Sequence, residues 1–194
     1  MLLLFYLLTM NLRQTWQRKF RAVLTYLENL HTPIARKTFK LIRTGKVVVL
    51  GFKKITLEDC KELHEELCND EFATTFSKKR VLDEANNRFK GMLYQNRIYI
   101  REDETDIDDI AKTIAHEVNH FLNNSNDHYE TEIDKFTEEL RATIAEDLLS
   151  ENIALTPCYL REKSKMIIEN YKLDLKPRCL SKAIKEKVIQ GLRY

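Results

Sequence analysis

The residues most able to do chemistry are His116-Glu117-Val118-Asn119-His120, which read H-E-x-x-H. On a helix, residues four apart stand one above the other, so His116 and His120 can send their imidazoles to a single metal ion. Glu117 then projects beside them, placed to take a proton from a water on that ion, the division of labour found in zinc hydrolases. The competing explanation is a solvated helix face that carries two histidines. His64-Glu65-Glu66-Leu67-Cys68 begins in the same way but ends in Cys, and is expected to be only the polar face of a helix.

A helix over Thr105 to Asn124 is expected on grounds independent of the motif. Thr105-x-x-Asp108 has capping-box form with Asp in place of Glu, and Asp106, Asp108 and Asp109 put negative charge on the first turn, where the helix dipole favours it. Ile107, Ile110, Ala111, Ile114, Val118, Phe121 and Leu122 recur at helical spacing. At about 100° per residue they span roughly 120° of arc, while His116 and His120 point about 180° to 220° from Ile107 and Glu117 about 280°. One side is core, and the other faces a cleft.

Two histidines do not fix an ion; a third protein ligand must come from elsewhere, with water completing a tetrahedron. A metzincin would need Gly at 123 and His at 126, where this chain has Asn123 and Asn126, so that class is excluded. His128 lies two residues late, in a polar loop. Glu130 to Ser150 reads as a second helix with Ile133, Phe136, Leu140, Ile144 and Leu148 on its buried face, able to fold back antiparallel on the first. It carries Glu138 and Glu139, 18 and 19 residues after His120, and Ala142 and Ala145 allow close helix approach.

H-E-x-x-H followed on a second helix by Glu139-Leu140-Arg141-Ala142, an E-x-x-A sequence, resembles the gluzincin metallopeptidases, the thermolysin-like zincins. The resemblance covers about residues 90 to 150. It implies His116, His120 and Glu139 as ligands of one zinc ion and Glu117 as general base, with Glu138 as the alternative third ligand. The thermolysin pattern also has an Asp four residues after the glutamate ligand, where this chain has Thr143. Orientation of a ligand histidine must then come from another group, and Glu146 and Asp147 are the candidates. A transition-state donor is implied as well, for which His128, Tyr129 and Arg141 are in range.

The rest of the chain must position this unit. Its 194 residues, 43% hydrophobic and 32% charged, suffice for one core with appendages, and four Gly and three Pro favour long helices. Cys60, Cys68, Cys158 and Cys179 form no C-x-x-C pair, so neither a zinc knuckle nor a dithiol redox motif is indicated, and scattered thiols suit a reducing compartment. Charge is segregated: residues 1–55 carry eleven Lys/Arg against one acid, 56–150 eleven against twenty-four, and 151–194 ten against five. Basic flanks can neutralise the acidic middle by packing on it, or can meet an anionic partner. Packing is the simpler account, and no nucleic-acid partner is expected.

Met1 to Leu8 is apolar but far short of the roughly 20 residues of a spanning helix, and it lacks the features of a secretory signal. The next helix, Asn11 to about Leu30, puts Leu12, Trp16, Phe20, Val23, Leu27 and Leu30 on one face. It is expected to cover the core; peripheral membrane contact is the weaker alternative. Gly45 to Phe52 reads as a buried strand, Leu57 to Cys68 as a helix, and Phe89 to Arg101 as a hairpin. The expected fold is α+β, mostly helical, with a small sheet before the H-E-x-x-H helix. Its divisions are a basic helical segment over 1–45, a zincin-like core over 46–150, and a basic helical segment over 151–194 packing on that core.

These features predict a zinc metalloendopeptidase that cleaves a protein or peptide, in the cytoplasm or after delivery into another cell. Ile98, Tyr99 and Ile100 are the candidate edge strand for an extended substrate. The alternative is a non-catalytic module that keeps the zincin-like fold and holds a partner through its basic flanks.

Overall fold

The computed structural model describes residues 2–52, 91–94, 96–123, 131–151, 153–175, 186, 188–190 and 192. The expected helix over 57–68, with His64, Cys60 and Cys68, lies outside the described residues, as do His128, Tyr129 and Cys179. In order, the elements are α1 (Leu2–Asn29), α2 (Pro33–Arg43), β1 (Val48–Phe52), β2 (Gly91–Tyr94), β3 (Arg97–Arg101), α3 (Ile107–Leu122), α4 (Glu132–Ser150) and α5 (Pro157–Tyr171). This is an α+β fold with the small sheet placed before the H-E-x-x-H helix, as expected.

The sheet has the order β1-β3-β2, with β1 parallel to β3 and β2 antiparallel to it. This corrects the expectation that Ile98-Tyr99-Ile100 forms an edge. These residues lie in β3, the central strand, paired to β1 on one side and β2 on the other. Both rows of backbone groups are engaged, and no extended peptide can add there.

Trp16, Phe20, Val23 and Leu27 form the core-facing stripe of α1 and meet Val47, Val49, Ile98, Ile100, Ile110, Ala111, Ile114 and Val118 in one cluster. Ile110 and Ile114 are fully buried, and at about 1.5–3 kcal/mol for each such side chain this packing outweighs the differences in helix propensity along α3. Polar contacts set the start of α3. Lys19 Nζ donates to the carbonyls of Glu102 (2.7 Å) and Glu104 (2.5 Å), and Tyr26 Oη donates to Asp108 Oδ1 at 2.6 Å. The cap falls one residue later than expected: Asp106, not Thr105, accepts the amides of Asp108 (2.8 Å) and Asp109 (3.2 Å). A carboxylate there satisfies two otherwise unpaired N–H groups and adds charge at the positive end of the dipole.

α4 lies between two cores. Ala145 and Leu149 join the cluster under α1 and α3, while Phe136, Leu140 and Ile144 pack with Leu160 and Ile167 of α5. Thr-Pro pairs begin both α2 and α5, with Thr32 and Thr156 as caps and Pro at the first helical position. Thr32 Oγ1 also donates to the Leu149 carbonyl at 2.6 Å, which ties α2 to the end of α4.

Gly91 fixes how closely β2 meets the motif helix. A Cβ there would stand 2.5 Å from Thr113 Cγ2 and 2.9 Å from Ile100 Cδ1. Gly91→Ala should therefore cost about 1–3 kcal/mol through overpacking. Thr113→Ser, which deletes the clashing methyl, should recover part of that loss, and urea denaturation of the single and double variants measures both.

Candidate metal centre

His116, Glu117 and His120 lie on the second half of α3, and Glu139 faces them from α4. Glu139 Oε2 stands 3.6 Å from His116 Nε2, and Glu139 Oε1 4.0 Å from His120 Nε2. The imidazole centroids are 4.8 Å apart with their planes at 68°, an edge-to-face arrangement. One donor atom from each of the three residues lies within 4.8 Å of the others. A tetrahedral ion with nitrogen and oxygen ligands at about 2.0–2.2 Å needs donors about 3.3–3.5 Å apart, a contraction within reach of small side-chain rotations. Two imidazoles and a carboxylate, all largely buried, thus form a group that can hold a divalent ion.

The structure separates the two adjacent glutamates. Glu139 turns to the histidines, whereas Glu138 Oε1 pairs with Arg141 Nη1 at 2.9 Å. Arg141 is itself buried; its guanidinium engages Glu138, and its charge also acts on His120. It is the one suggested transition-state donor among the described residues.

Of the two candidates for orienting a histidine, Glu146 takes the role. His116 Nδ1 and Glu146 Oε1 are 2.5 Å apart, with the imidazole N–H donating, and Nε2 stands 3.6 Å from Glu139 Oε2. Asp147 instead accepts from Tyr159 Oη at 2.6 Å and pairs with Lys163 at 2.6 Å. Glu139 and Glu146 are seven residues apart, two helical turns, and therefore share one face of α4. Tyr171, at the end of α5, is a further member of the site that the motif does not include. Its phenol donates to Glu139 Oε2 at 2.5 Å. No local pattern announces it, because the contact joins residues 32 apart in sequence, on two different helices.

Burial disfavours a charge on His116, but the Glu139 and Glu146 carboxylates overcome this and hold its pKa well above the ordinary value. His120 goes the other way: burial, then the charge of His116, lowers it to about 4. Burial also opposes ionisation of Glu139, yet the histidines and the Tyr171 hydroxyl bring its pKa below the ordinary carboxylate value.

Comparison with protein-family models, curated proteins and solved structures returns no match. No helix among the described residues is long and apolar enough to cross a membrane.

The two histidine shifts together set a pH profile for metal-free protein. Folded, the pair holds one proton from about pH 4 up to the raised value of His116; unfolded, it holds two well below about pH 6.5 and none well above. The stability that His120 contributes is present above about 6.5 and lost as pH falls towards 4, while that of His116 is present below about 6.5 and lost as pH rises through its folded value. The pair's contribution should thus peak near pH 6.5. Denaturation in chelator across this range should show that His120→Gln removes the loss between about pH 6.5 and 4, leaving the alkaline-side loss of His116 and the acid-side loss that the depressed Glu139 adds at lower pH.

Proposed function

We propose that this chain is a zinc-dependent metallopeptidase of gluzincin type, acting on a protein or peptide. The observation that carries this reading is the approach of Glu139, 19 residues beyond His120 and on the next helix, to within 3.6 and 4.0 Å of the two H-E-x-x-H imidazoles. Nitrogen, nitrogen and oxygen donors with room for a water are the ligand set of hydrolytic zinc sites.

His116, His120 and Glu139 would hold the ion, and Glu146 would keep His116 presenting Nε2. When bound, zinc supplies a water acidic enough to ionise near neutral pH and polarises a carbonyl. Glu117 lies one residue from His116, and its negative charge acts on that imidazole. Its carboxylate takes the proton of the attacking water and passes it to the leaving amine nitrogen as the C–N bond breaks. Glu117 is itself mostly buried, which favours proton transfer over loss of the proton to solvent. An extended substrate cannot pair with β3, which is flanked by strands on both sides.

The test is metal content and turnover measured together. Glu117→Gln should retain stoichiometric zinc while peptide cleavage falls by about 10²–10⁴-fold, read on a proteome-derived peptide library. His116→Ala and Glu139→Ala should each lose both metal and cleavage. Glu138→Ala should keep the metal but lower stability by about 3–5 kcal/mol, because it strips a buried arginine of its ion-pair partner. Cleavage by Glu117→Gln at the wild-type rate would overturn the proposed role of Glu117, and wild-type zinc content in Glu139→Ala the ligand set.

A further inference from the structure

All three candidate ligands belong to α3 and α4, yet the carboxylate among them is gripped from a third helix. Tyr171 Oη lies 2.5 Å from Glu139 Oε2, the same oxygen that faces His116 Nε2 at 3.6 Å. A carboxylate oxygen accepts along two directions. With one direction taken by the phenol, the other direction on Oε2, and Oε1 opposite His120, are turned to the histidines.

Tyr171 is well placed to impose this orientation. α5 is packed on α4 through Leu160 and Ile167 against Phe136, Leu140 and Ile144. The helix stops directly after Tyr171, where Lys172 adopts a left-handed conformation with φ 52°. The chain then turns back to α4, where the Asp174 amide donates to Glu132 Oε2 at 3.1 Å. Lys135 Nζ sits 5.1 Å over the Tyr171 ring, a cation–π contact from one turn before Glu139. The ring is thus located by the packing of its helix, by the turn that follows it and by Lys135 over its face.

We propose that Tyr171 is a positioning residue of the metal centre: its phenol fixes the rotamer of Glu139, so that the helix Pro157–Tyr171 completes a site whose ligands all lie on the two preceding helices. This rests on the His116, His120 and Glu139 metal site. A glutamate has three rotatable bonds, and one held in the ligating orientation before the ion arrives spares the ion the cost of ordering it. Removing such an outer partner weakens metal binding by about 10–100-fold in comparable sites.

The experiment uses the full chain, stripped with chelator and titrated with zinc against a chromophoric competitor, and with cobalt(II) followed by visible absorption. Tyr171→Phe keeps the ring and deletes the donor; 4-aminophenylalanine at the same position restores a donor. Circular dichroism confirms that each variant is folded. The expected result is a zinc Kd raised by about 10–100-fold in Tyr171→Phe, with a changed cobalt spectrum, and recovery of most of the affinity and of the wild-type spectrum with the amino analogue. A purely structural role would lower the melting temperature of metal-free protein and leave both metal readouts unmoved. Wild-type affinity and spectrum in Tyr171→Phe would overturn the proposal, and so would a loss the amino analogue does not recover. Failure of the wild-type chain to bind either ion would instead overturn the metal site itself, and this inference with it.

Discussion

A buried carboxylate is stable only where cations or hydrogen-bond donors meet it, and the region between α3 and α4 is organised by that requirement at Glu139. Its charge faces the two imidazoles and the Tyr171 hydroxyl, three groups supplied by two other helices. No single helix could surround a carboxylate in this way, because side chains on one face of a helix point in similar directions. The helices must therefore be fixed relative to one another before the site exists. The apolar contacts of α3 with α1 and of α4 with α5 accomplish this.

The division of α4 into two apolar faces follows from the same need. Ala145 and Leu149 pack towards α1 and α3, where a small residue allows close approach; Phe136, Leu140 and Ile144 pack towards α5. Between them runs the polar line of Glu139 and Glu146. A helix packed on only one side would leave these carboxylates in water, where a hydrogen bond or ion pair has little net worth. Enclosure strengthens each interaction and raises the cost of losing any partner.

How much of this could be read from the residues depends on the range of each interaction. The motif helix, its apolar stripe and the two histidines on another face follow from local period, and the structure has them in α3. Glu139 was readable because a glutamate on the next helix needs only an antiparallel return to meet His120. Choosing it over Glu138 required the register of that helix, which the sequence leaves open and the Arg141 ion pair makes plain. The sequence alone suggests an edge at β3 for a different reason. Apolar residues in a short strand show that it is covered, but not which strands lie beside it, and the partner β1 comes from 49 positions earlier at the register Val48 to Arg97. Tyr171 is a further step removed, since a lone tyrosine at a helix end has no signature until the fold brings α5 across α4.

The charge balance of the site connects its metal-free and proposed metal-bound forms. In the metal-free protein, protonated His116 supplies the positive charge between Glu139 and Glu146, while His120 stays neutral because a second proton would be buried beside the first. A divalent ion among His116, His120 and Glu139 would meet the same carboxylate and displace that proton, since a coordinating imidazole nitrogen must be unprotonated. Glu146 would keep its place in both forms, accepting from Nδ1 whether Nε2 carries a proton or a metal bond. The polar line on α4 thus serves a cation in either form, so the helices can assemble around one proton into nearly the arrangement that a metal ion requires.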